Sequence, residues 1–139
     1  MNSREFIRSV KKYAADDVVA MMLRELTNPR VFPPPEPDGG TYPWISDWIS
    51  KGELRAHRKA DWFATLDSEG KQVLQDLLQE CSEACLFQTF AYIDGVGGNY
   101  NGVFEITAVA GENRTVLNPE NTEMLHDLLS EVCEEDRFH

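Results

Sequence analysis

The side chains able to do chemistry are few. There are three cysteines, Cys81, Cys85 and Cys133, and three histidines. Cys81 and Cys85 are four residues apart, which puts them on one face of a helix. With Cys133, His126 and His57 they make a conceivable tetrahedral zinc set. Zinc ligands of that kind usually pair on a tight turn, whereas these two sit among leucines in a helical pattern. Free cysteine is itself a common core residue, so buried structural thiols are expected, with no metal and no cofactor. A nucleophilic cysteine needs an adjacent base and an electropositive setting, and no spacing supplies either. His126 adjoins Asp127, but helical neighbours point apart, so His126 reads as an ordinary surface residue. His57 and Asp61, four apart, suit either an acid–base pair or a surface contact. No catalytic residue is assigned.

Two further clusters could meet charged ligands. Gly95-Val96-Gly97-Gly98 has the glycine content of a phosphate loop. However, it follows a helical segment, whereas phosphate loops follow a strand and open a helix, and no lysine is near. Helix termination explains it better. Lys51, Arg55, Arg58 and Lys59 form the one dense basic cluster, suited to pairing with the chain's own acidic surface or to a local interface patch.

The acidic set is larger. Glu120, Glu123, Asp127, Glu131, Glu134, Glu135 and Asp136 crowd the end of the chain. The simple reading is a solvated helix face. The functional reading is a docking face for a basic protein, carried by Asp127, Glu131 and Glu134. Trp44 and Trp48, beside a proline-rich segment, are the candidate aromatic anchors, although tryptophans more often pack in a core.

The whole composition agrees with that ranking. Thirteen basic and 24 acidic residues give a net charge of −11 over 139 residues. A field of that sign repels phosphate backbones and anionic membranes, so neither nucleic acid nor membrane is expected as a partner, and it speeds encounter with cations. The length suits a single domain spanning 1–139 with its own core. An odd cysteine count and no apolar leader in the first twelve residues point to a reduced, cytoplasmic protein.

The elements that must position these residues follow from periodicity. Residues 2–26 read as helix, opened by an Asn2/Glu5 capping box, with a break near Ala15 and an end at Asn28-Pro29. A proline-rich loop covers about 27–43, partly of polyproline type. Trp44–Ile49 and Leu54–Leu66 read as two short helices. Asp67 or Ser68 then caps a long helix to about Ile93, apolar nearly all round from Ala84, as in a central buried helix. Val103–Val109 and Arg114–Leu117 pattern as a hairpin around Ala110–Asn113. A last helix starts at Asn118-Pro119, with Met124, Leu125, Leu128, Leu129 and Val132 inward. The expected fold is α+β and mainly helical.

In size, charge and reduced cysteines the chain resembles the small acidic immunity proteins that neutralise bacterial toxins. That resemblance implies an inhibitor acting by occlusion, with carboxylates on a rigid helix pairing with basic groups around a toxin's active site. The expected function is therefore a protein-binding module for a basic partner. The alternatives are a small metal-assisted enzyme using His57, Asp61 or the cysteines, and a structural subunit of a larger assembly.

Overall fold

Helix α1, Ser3–Lys11, begins where the sequence predicts. Asn2 Oδ1 accepts the Glu5 N–H at 2.8 Å, and Glu5 Oε2 accepts the Asn2 N–H at 2.9 Å. Two backbone donors left open by the helix start are thereby satisfied. In the computed structural model the following residues, Lys12–Asp16, form a π-helical turn, after which α2 runs from Asp17 to Thr27. The predicted break near Ala15 is this wide turn: the backbone widens without leaving the helix. It brings residues five apart into line, so Lys11 meets Asp16 at 3.0 Å and Lys12 meets Asp17 at 3.1 Å. The structure describes residues 1–31, 43–96, 102, 104–120 and 122–138, and the side chains of 43–46 lie outside that set. Most of the proline-rich loop therefore lies outside the described residues.

The remaining elements are α3 (Pro43–Ala64), α4 (Ser68–Ile93), β1 (Thr107–Ala110), β2 (Asn113–Val116) and α5 (Leu125–Arg137). The fold is mainly helical α+β, with an antiparallel hairpin late in the chain and a C-terminal helix. Its contacts fall into two compact units: unit 1 is Met1–Val18 with Leu77–His139, and unit 2 is Val19–Asp76.

Unit 1 is built on α1, the end of α4, and α5. Ile7, Phe90, Leu125, Leu128, Leu129, Val132 and Cys133 form its buried cluster. Phe6 meets Phe90 edge-on at 6.1 Å. Each Leu or Ile so enclosed stabilises the fold by about 1.5–3 kcal/mol. Burial in α4 is concentrated at Phe90 and Ala91, while Ala84 and Cys85 are exposed. Gly95, with φ of 78°, ends α4 in the left-handed region. Its N–H bonds Tyr92 O and the Val96 N–H bonds Ala91 O, a Schellman stop.

The hairpin is shorter than predicted. Ala110 pairs with Asn113 across Gly111-Glu112, and Gly111 supplies the positive φ that such a two-residue turn requires at its first position. Upstream, the Leu117 N–H still bonds Ile106 O at 2.8 Å, and the Asn118 side chain then extends the ladder. Its Oδ1 accepts the Ile106 N–H at 2.7 Å and its Nδ2 donates to Phe104 O at 2.5 Å. That engagement also corrects the predicted start of the last helix. Residues 118–120 and 122–124 stay outside it, and α5 opens only at Leu125.

Unit 2 holds most of α2, all of α3 and the first turns of α4. The two short helices predicted here are one helix of 22 residues. Gly52 costs it about 1 kcal/mol. A Lys51–Asp47 pair at 2.6 Å and an Arg55 Nε bond to Lys51 O brace the same stretch. Asp67 Oδ1 caps α4 by accepting the Gly70 N–H at 2.8 Å. Val19 is the one buried hydrophobic residue among the described residues of this unit.

Candidate functional site

The charge is carried almost wholly by unit 1. It has 15 acidic and 6 basic residues, a net −9, whereas unit 2 has 9 acidic and 7 basic, a net −2. The acidic edge of α5 is partly neutralised from within. Arg4 binds Glu131 at 2.8 Å and also Glu135, Arg8 binds Glu135 at 2.8 Å, and Lys11 binds Asp136 at 2.7 Å. Hydrogen bonding from Arg4 holds the Glu131 carboxyl below its usual range, and bonding from Arg8 does the same for Glu135. Lys11 is buried, and burial is the largest single influence on it. Its hydrogen bonds to Asp136 and Asp16 together outweigh that influence and keep the ammonium charged.

The three predicted docking carboxylates therefore have different surroundings. Glu131 is engaged by Arg4. Asp127 lies 3.5 Å from His126 Nε2. Glu134 has no ion-pair or hydrogen-bond partner among the described residues, and it lines a groove of about 310 Å³ between α4 and α5. Glu80, also unpaired, and Glu83 line the same groove, with Phe87, Leu129 and Cys133 as its apolar part. Glu83 is held by Arg137 at 3.2 Å. Burial, with Glu83 nearby, pushes the Cys133 thiol up to about 11, so it stays protonated and behaves as an apolar wall. The groove thus offers two free carboxylates above an apolar floor. A lysine or arginine suits such a site, with its stem on the floor and its charge at the rim.

His126 is a correction. It is 8% exposed rather than a surface residue. Its Nδ1 lies 2.8 Å from Asp94 Oδ2, and the same oxygen accepts the His126 backbone N–H at 3.1 Å. Phe87 packs edge-on against the imidazole at 5.3 Å. His126 is the second residue of α5, whose N-cap, Met124, makes no side-chain cap bond. Asp94 therefore supplies a cap from the end of α4, a charge-assisted bond to the positive end of the helix. The sequence signal was available in part, since a lone aspartate at a helix stop is a ready acceptor. Its partner, 32 residues on, was not legible.

The other candidates separate. Cys81 and Cys85 are exposed, contrary to the buried reading, and only Cys133 is buried. Their stretch of α4 is solvated because the core reaches only as far as Leu86 and Phe87. Among the described residues no three His, Cys, Asp or Glu side chains converge as metal ligands. His57 and Asp61 are exposed and share no bond. Gly97 and Gly98 lie outside the described residues. Trp48 is 63% exposed, not in a core, and the Trp44 side chain lies outside the described set. No helix among the described residues is long and apolar enough to cross a membrane. No family model matches the chain, nor does any curated protein or solved structure.

Proposed function

We propose that this protein is a binding module of the immunity type that captures a basic partner protein. The α4–α5 groove seats a lysine or arginine of that partner. The single observation that supports the reading is the groove itself: Glu80 and Glu134 stand unpaired over Phe87 and Leu129 in a unit of net −9. The surrounding field raises the encounter rate with a cationic surface, and the groove then fixes the register. Of the carboxylates predicted from sequence, Glu134 is the direct contact. Asp127 and Glu131 contribute to the field. Three free thiols favour action in the reducing cytoplasm.

The test is capture from the source cell's lysate at low and high salt, read by mass spectrometry. The expected result is one basic protein at low salt, reduced at high salt because exposed charges are screened within roughly 10 Å at 0.1 M. Glu80→Lys with Glu134→Lys should lose it, while Glu112→Lys in the hairpin turn should not. Equal capture by the groove variant would remove the groove from the account.

A further inference from the structure

Helix α3 carries a surface that the groove reading does not use. At 100° per residue, Trp48, Lys51, Arg55, Arg58, Lys59 and Trp62 fall within an arc of about 100°. Its half-buried residues, Ile49, Gly52, Glu53, Ala56, Ala60 and Phe63, lie on the flanking side, centred about 120° away. All of α3's lysines and arginines are on the outward stripe, and Glu53 and Asp61 are off it. Lys51 is paired with Asp47, but Arg58 and Lys59 have no ion-pair or hydrogen-bond partner among the described residues. Arg55, Arg58, Lys59 and Trp62 surround a concavity of about 550 Å³. Trp48 and Trp62 are 63% and 52% exposed. Fourteen residues of helix separate them, about 21 Å. Arginine and tryptophan are the side chains that most often anchor interfaces.

We propose that this stripe docks into the acidic groove of a second copy of the chain. The inference rests on the groove reading, because it supplies that groove with an occupant. Its ground is charge complementarity between two surfaces of one sequence. The stripe offers unpaired cations flanked by exposed tryptophans. The groove offers unpaired Glu80 and Glu134 beside an apolar floor. Arg58 or Lys59 of one copy takes the place at the rim, and Trp62 covers apolar surface beside it. Such a contact is heterologous, so it forms a closed ring or an open chain according to its rotation. It also fills the groove. Self-association and capture of a basic partner then compete, and the partner must displace the second copy.

Sedimentation velocity tests this on the full chain from micromolar to millimolar concentration. The wild type should associate at low salt and dissociate at high salt. A stripe-reversed variant, Arg55→Glu with Arg58→Glu and Lys59→Glu, should stay monomeric. So should a groove-reversed variant, Glu80→Lys with Glu134→Lys. An equimolar mixture of the two should associate again, because one keeps its groove and the other its stripe. That recovery also shows that neither variant has failed to fold. A wild type monomeric throughout, or a mixture that stays monomeric, overturns the proposal. A monomeric wild type that binds a polyglutamate peptide through α3 overturns it too, and gives the stripe to a separate acidic protein. The groove reading is separated by titrating polylysine into the stripe-reversed monomer. Binding there that is lost on adding Glu80→Gln and Glu134→Gln keeps the groove as a basic-partner site even if self-association fails.

Discussion

Unit 1 holds all but one of the buried apolar side chains among the described residues and most of the charge, whereas unit 2 buries Val19 alone and is nearly balanced in charge. Ile7, Leu117, Leu125, Leu129 and Val132 are almost wholly buried in the first. Trp48, Leu54 and Trp62 are more than half exposed in the second. The hydrophobic effect scales with area removed from water, so the stability of the described structure resides mainly in unit 1. What unit 2 offers is surface. One chain thus holds an acidic groove in one part and a helix with an exposed aromatic–basic stripe in the other.

Substitutions should divide along that line. The largest effect is expected from Leu125→Ala, which opens a cavity where α1, α4 and α5 meet and should cost about 2–5 kcal/mol in urea unfolding. Asp94→Ala removes the shared acceptor of the His126 N–H and Nδ1 and should cost about 1–3 kcal/mol; Asp94→Asn, which keeps one acceptor oxygen, should cost less. At the other end, Trp62→Ala and Leu54→Ala should change the stability of the monomer by no more than about 0.5 kcal/mol. If Trp62→Ala destabilised the fold as much as Leu125→Ala, the contrast between the units would collapse.

Two measurements sharpen the contrast without altering the core. Alkylation followed by mass should show Cys81 and Cys85 reacting in the native protein and Cys133 only after unfolding. With its thiol near 11, Cys133 is about one part in a thousand thiolate at pH 8, besides being buried. Rapid loss of all three thiols would show α5 detaching readily from α1 and α4. Acid should weaken unit 1 modestly. Glu131 and Glu135 titrate below the ordinary glutamate value when folded, so they bind fewer protons in the native state. Their stabilisation is complete above about pH 4.3 and lost as pH falls through the folded values. Glu123, raised by its hydrogen bond with Glu131, works in the opposite sense. The midpoint of urea unfolding should fall over that acid range, and by less in Arg4→Ala.

Local rules made much of this legible. The Asn2–Glu5 box, the Asp67 cap, the Gly95 stop and the inward stripe of α5 are all written in neighbouring residues. The failures are long-range. His126 is buried because Asp94 and Phe87 meet it from α4. Glu131 is engaged because Arg4 lies more than a hundred residues away in sequence and beside it in space. Cys81 and Cys85 read as core because leucines surround them in sequence, but periodicity cannot say how far along a helix its neighbours extend. Trp48 failed for the converse reason: a residue type that usually finds a core was placed on α3 to one side of its half-buried face.

The most direct test of the account maps a lysine-rich peptide onto the chain by amide chemical-shift perturbation, using the stripe-reversed monomer at low salt. Shifts should cluster at Glu80, Glu83, Phe87, Leu129, Cys133 and Glu134, and be weakened by Glu80→Gln with Glu134→Gln and by salt. Shifts spread over every acidic surface alike, or clustered away from the α4–α5 groove, would contradict it.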